Sequence, residues 1–151
     1  MKRLGRISTV AAVALMSLGF VQLFPAQRTN PPSSAELVGP SPVVATLSRA
    51  CYDCHSNETR WPWYSHFAPL SWVIVNHVEK GRRELNFSEW NTYYPNAQRR
   101  KLRWMGRALS EEKMPPWYYR LAHPDARLSA SDRILLQRWI AGTLAGDTSA
   151  Q

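Results

Sequence analysis

Cys51-Tyr52-Asp53-Cys54-His55 sets the terms for the rest of the chain. Two cysteines three apart, followed at once by histidine, form the pattern by which a c-type haem is attached covalently. The thiols of Cys51 and Cys54 would add to the vinyl groups of one haem, and His55 would present its imidazole to the iron. Plainer readings of the same residues are weaker. A disulfide between Cys51 and Cys54 would close so small a loop that its entropic gain would be slight. A structural zinc ion takes four protein ligands, and this chain has two cysteines and four histidines with no second paired cluster. A thioredoxin-like pair belongs in a strand-helix context, and no such alternation runs through the sequence.

Working outward, Val44, Leu47, Cys51 and Cys54 fall at spacings of three, four and three. That places both thiols on the apolar stripe of one short helix starting near Val43 and aims them at the core. Upstream, residues 29–42 carry Pro31-Pro32-Ser33-Ser34 and Gly39-Pro40-Ser41-Pro42. Proline and serine at this density predict a linker, here a spacer between the amino-terminal segment and a domain over residues 43–146. Residues 1–28 read as an export signal or signal anchor. Lys2, Arg3 and Arg6 precede an apolar run of 18 residues, Ile7 to Phe24, at the lower edge of what spans a bilayer. Positive charge before the run keeps that end in the cytoplasm and sends the remainder outward, to the periplasmic side of a bacterial inner membrane. Ser17-Leu18-Gly19 is a poor cleavage site, which favours an uncleaved anchor over a removed peptide.

Downstream, Trp61-Pro62-Trp63-Tyr64 predicts an aromatic loop, either beside the cofactor or serving as a simple core plug. A second helix is predicted from near Pro69, with Leu70, Val73, Ile74, His77, Val78 and Gly81 on one face. His77 there is either a hydrogen-bonded core residue or an iron ligand, and His66 just before the helix is either solvated or bonded to a propionate. Asn86 or Ser88 can cap a short turn. A third helix is predicted from about Pro95 to Leu109, with Leu102, Met105 and Leu109 inward and Arg99, Arg100, Lys101, Arg103 and Arg107 outward. Its basic face is either simply solvated or a docking surface for an acidic partner or anionic lipid. Ser129, with Asp132 three residues on, predicts a capping box for the last helix, whose stripe is Leu135, Leu136, Trp139, Ile140 and Thr143. The expected architecture is mostly α, about four helices wrapped round one haem in a small cytochrome-c-like domain behind an amino-terminal membrane segment.

Met114-Pro115-Pro116 is the second chemical signal. Electron-transfer haems are commonly held by histidine on one face and methionine on the other. The prolines restrict the backbone around Met114, as a loop ligand requires. Met114 is therefore the expected distal ligand, with His123 the leading rival and His77 behind it. At 151 residues with 44% hydrophobic content, the chain suits one small domain, and its seven tryptophans give a flat apolar cofactor something to lie against. The net charge is +8, but setting aside Lys2, Arg3, Arg6 and Arg28 leaves 15 basic against 11 acidic groups. That excess is too mild to argue for nucleic acid.

These motifs together with Ala68-Pro69-Leu70-Ser71-Trp72, Gly81-Arg82-Arg83, Leu85-Asn86-Phe87-Ser88-Glu89-Trp90 and His123-Pro124 resemble the bacterial haem-binding domain family of single-haem, cytochrome-c-like proteins. The resemblance covers roughly residues 42–140, with Leu70 where valine is more usual. It implies haem c at Cys51, Cys54 and His55, Met114 as axial partner, and a small exported helical domain. The function expected is electron transfer by a non-enzymatic carrier, with an unspecified redox partner protein. A haem-based gas or redox sensor, or a peroxidase-like protein with an open distal position, is the alternative. A haem-bearing subunit beside a larger membrane oxidoreductase is a third possibility. No nucleophile-base pattern or phosphate loop points to other chemistry.

Overall fold

A computed structural model describes residues 2–146, so Met1 and residues 147–151 lie outside it. The described residues are mostly helical and contain no strand. In chain order the helices are α1 (Lys2–Val21), α2 (Ser41–Ala50), α3 (Tyr52–His55), α4 (Leu70–Glu84), α5 (Pro95–Ser110), α6 (Trp117–Ala122) and α7 (Ala130–Ala145). Tighter 3-10 turns lie at Trp63–His66, Phe87–Thr92 and Pro124–Ala126.

The core forms where α2, α5 and α7 meet. Val43 and Leu47 of α2, Leu102 and Leu109 of α5, and Leu136 and Ile140 of α7 are all buried. Phe87, 1% exposed, stacks on Tyr52 with ring centroids 5.4 Å apart, which fastens the turn after α4 to the attachment motif. The last helix lies against the first helix of the domain, as its apolar stripe requires. At its amino end Ser129 Oγ accepts from the Asp132 amide at 3.1 Å, while the Asp132 carboxylate accepts from the Ser129 amide at 2.8 Å. The reciprocal capping box is thus complete, and Arg49 of α2 adds an ion pair to the same Asp132 at 3.0 Å. Ser129→Ala should cost about 1 kcal/mol, read as a lower denaturant midpoint at unchanged slope.

The amino-terminal segment differs from expectation. No helix of the described residues is long and apolar enough to cross a membrane. The apolar run does not continue to Phe24 as one helix, because α1 ends at Val21. The uncharged part of α1, from Ile7, is then about 22 Å long at 1.5 Å per residue, short of a hydrocarbon core of about 30 Å.

Residues 29–42 do not behave as a spacer. Residues 29–40 form an extended strap along the domain, and Ser41 and Pro42 already open α2. The Leu37 amide donates to the Phe87 carbonyl at 2.9 Å and the Ala35 amide to the Ser88 carbonyl at 3.2 Å, and Leu37 is buried. The strap starts earlier still. The Gln22 amide group bonds both the carbonyl of Ala68 at 2.8 Å and its N–H at 3.0 Å. Trp72 Nε1 donates to the Phe24 carbonyl at 2.8 Å, and Arg28 to the Ser65 carbonyl at 2.9 Å.

Two helical expectations also need correcting. On α4 the residues that face protein are Ser71, Val75 and Val78, whereas Leu70 (47% exposed), Val73 (50% exposed) and His77 are exposed. The apolar stripe read from the sequence is therefore only partly the core face. On α5, Lys101 is not turned outward: its ammonium bonds the Glu84 carbonyl and lies 4.4 Å from the Tyr93 ring centroid.

Candidate haem site

The attachment motif sits at a break between two helices. At Cys51 the backbone leaves helical geometry (φ −125°, ψ −31°), so the single helix expected across both thiols is two pieces, α2 and α3. Cys51 still closes α2 by donating to the Leu47 carbonyl at 2.7 Å, and its own carbonyl accepts from His55 at 2.9 Å. Both cysteines are unpaired and half-buried. Burial, and then the neighbouring Cys54, pushes the Cys51 thiol up to about 12; burial, and then Asp53, pushes Cys54 up to about 11. Thiols held this far into the neutral form are poor agents of thiol-disulfide exchange at neutral pH, which counts against a thioredoxin-like pair.

His55 is oriented by the end of α4. Its Nδ1 lies 3.0 Å from the carbonyl oxygen of Gly81 and 3.0 Å from that of Leu85. Since both partners only accept, Nδ1 carries the proton and Nε2 keeps its lone pair. Burial lowers the imidazole pKa against the opposing pull of the two carbonyls. The ring is therefore neutral and tautomerically fixed, the state in which histidine binds a metal. Gly81 permits this approach, because a Cβ there would run into the Cys54 carbonyl oxygen.

Arg82, next in sequence, gathers the surrounding backbone. Its guanidinium donates to the carbonyls of Ser56 and Thr29 at 2.8 Å each, to Asn30 Oδ1 at 3.0 Å and to Thr59 Oγ1 at 2.8 Å. The strap and the turn after His55 are thereby bound to α4 by one side chain. A buried amide pair adds to this: Asn86 Nδ2 donates to Asn57 Oδ1 at 2.9 Å, and the Asn57 amide to Ser88 Oγ at 3.0 Å. Asn86 also caps the turn that follows, accepting from Ser88 at 3.1 Å.

Asp53, inside the motif, is the centre of a second cluster. Its carboxylate accepts from the Arg60 amide at 3.0 Å, Arg60 Nε at 3.1 Å, an Arg60 terminal nitrogen at 3.0 Å, and the Tyr119 hydroxyl at 2.6 Å. Burial acts to raise this carboxyl, but the bonds from Arg60 and Tyr119 outweigh it and hold it below the ordinary range. Tyr119 belongs to α6, so the cluster ties the segment after Met114 to the attachment motif. Tyr118 of α6 meets His77 of α4 with ring centroids 5.9 Å apart.

The remaining candidates separate cleanly. His123, the rival ligand, is occupied: its Nε2 is 2.6 Å from the Tyr64 hydroxyl, and its ring stacks on Tyr119 at 4.2 Å between centroids. His77 and His66 are exposed. Met114 is 41% exposed, with its amide 3.4 Å from the Ala108 carbonyl, and Pro115 behind it is buried. Sequence reasoning missed Gly81 and Leu85 as the acceptors for His55, Arg82 as a clamp, and Asp53 with Arg60 and Tyr119. The juxtaposition of Gly81 and Arg82 after an apolar run was the visible signal for the first two; long-range partners such as Tyr119 leave no local trace.

These residues fit haem. Two unpaired thiols share a motif with an imidazole whose free nitrogen is fixed, and Leu70 and Val73 of α4 and Tyr118 of α6 leave apolar surface exposed. A helical domain with this donor set is of the cofactor-binding class. A family model described as a haem-binding domain matches residues 15–142, and the chain belongs to that family. No curated protein and no solved structure matches it.

Proposed function

We propose that the chain is a single-haem c-type electron carrier, with thioethers at Cys51 and Cys54, His55 as proximal ligand and Met114 as distal ligand. The observation that carries this reading is the pair of hydrogen bonds from His55 Nδ1 to the Gly81 and Leu85 carbonyls, which leaves Nε2 free in a motif that also carries two unpaired thiols. Haem bound there supplies a one-electron iron couple. The protein's part is to hold His55 neutral and in one orientation, so that little in the ligand field rearranges between oxidation states. The Gly81 and Leu85 carbonyls withdraw no proton from the ring but stiffen it and increase its basicity. With both axial positions filled by the chain, the domain would be a carrier and not an enzyme. Its partner would be another redox protein.

Export to the periplasmic side is supported by Lys2, Arg3 and Arg6 before the apolar run. The apolar part of α1, about 15 residues, has the length of a signal-peptide h-region, and the strap would keep the domain beside whatever holds that helix.

The test is the visible spectrum of the oxidised holoprotein, matured by the cytochrome c attachment machinery. A low-spin spectrum with the weak long-wavelength sulfur-to-iron band is expected. Met114→Ala should abolish that band and lower the reduction potential, since a methionine ligand raises it; an unchanged spectrum and potential would remove Met114 from the iron. A sensor or peroxidase-like reading is favoured by one observation, the 41% exposure of Met114, which suits a displaceable ligand. Carbon monoxide binding by the reduced wild-type protein without denaturation would put that reading in place of electron transfer.

A further inference from the structure

We propose that Asp53 and Tyr119 are a positioning pair that fixes the Met114 loop, so that a residue inside the attachment motif governs how firmly the distal ligand is held. This inference rests on reading Met114 as that ligand. Helix α6 follows Met114 after two prolines and cannot hold its own place. It has six residues, far below the dozen or so that an isolated helix needs for even marginal stability, and none of them is buried. Its position therefore depends on side-chain bonds that leave it. One is Tyr119 Oη to Asp53 Oδ2 at 2.6 Å, to a carboxylate already fixed on three sides by Arg60. A second is at its end, where His123 stacks on Tyr119 and its Nε2 lies 2.6 Å from the Tyr64 hydroxyl; Arg127 Nε adds a bond to the Arg120 carbonyl at 3.1 Å, and Tyr118 meets the His77 ring. On its other side the loop returns from α5 through the Lys113 and Met114 amides, which share the Ala108 carbonyl at 3.0 and 3.4 Å.

Pro115 and Pro116 join these two anchors with few free torsions. A shift of α6 is then passed to Met114 instead of being absorbed between them. Asp53 and Tyr119 touch neither iron nor substrate in this scheme; they act through the loop. A hydrogen bond to a carboxylate is among the stronger ones a side chain makes, and its loss should show directly in how readily the sulfur leaves.

Tyr119→Phe removes a single oxygen atom from a side chain that keeps its stacking partner. In the full-length holoprotein we expect normal haem content and helical circular dichroism, a weakened sulfur-to-iron band, and carbon monoxide binding to the reduced form about tenfold faster than wild type. Tyr64→Phe, which loosens only the His123 anchor, should move both readouts in the same direction by less; Asp53→Asn, which takes the charge from the same Tyr119 bond, decides the matter if Tyr119→Phe does not retain haem. Wild-type band intensity and carbon monoxide rate in the variants would overturn the positioning role while leaving Met114 as ligand. A wild-type protein that lacks the band would instead overturn the Met114 assignment, and this inference with it.

Discussion

Cys51→Ser/Cys54→Ser should yield a protein from which haem is wholly lost on denaturation. Each thiol can form one carbon-sulfur bond with a vinyl group; a serine hydroxyl is too weak a nucleophile to replace it. His55 is untouched by the double substitution and keeps its bonds to Gly81 and Leu85, so the variant is compared with wild type for coordination as well as attachment. The measurement is haem staining after denaturing electrophoresis. Wild type should stain, either single variant should stain weakly, and the double variant should not stain at all. Staining of the double variant at wild-type intensity would show that attachment does not run through these thiols.

Gly81→Ala should be the most damaging single methyl group in the domain. The new Cβ would meet the carbonyl oxygen of Cys54, which is backbone and has no rotamer to yield. Relief requires α4 to move away from α3, and that movement stretches the 3.0 Å contacts from His55 Nδ1 to the carbonyls of residues 81 and 85. Overpacking of this kind costs about 3 kcal/mol, or roughly a 10 °C fall in melting temperature for a domain of this size. Haem incorporation should fall with it. Equal melting temperatures for variant and wild type would mean that the close approach of the two helices is not part of the folded state. Gly106 offers a control, since a Cβ there would meet Ile140 side-chain atoms at an ordinary 3.7 Å.

How much of this was legible in the sequence depends on how local each feature is. The starts of α5 and α7 were readable because their signals lie within a few residues: a proline at the first helical position, and a capping box at Ser129 and Asp132. The motif itself was readable for the same reason. The break at Cys51 was not, because apolar spacing continues through it while the backbone does not. The face of α4 was misread in part: Leu70 and Val73 belong to the apolar stripe, yet the protein interior lies on the side of Ser71, Val75 and Val78. The strap was misread because proline and serine content describes what a segment cannot form on its own. It says nothing of the backbone groups that a distant Arg82 or Phe87 supplies. His123 is the leading rival ligand on sequence grounds, whereas its engagement with Tyr64 and Tyr119 depends on segments far apart in the chain.

The strap also affects the timing of folding. Gln22, Arg28 and Asn30 precede their partners Ala68, Ser65 and Thr59 by 46, 37 and 29 positions. Arg82 comes 53 positions after the Thr29 carbonyl it binds. In a chain delivered amino end first, this segment is present well before anything can receive it, and its closure must wait for α4 to be complete. Contacts of such long sequence separation form late because their loop entropy has to be met before they return anything. Until then the strap has none of these partners, so its closure belongs to the end of folding.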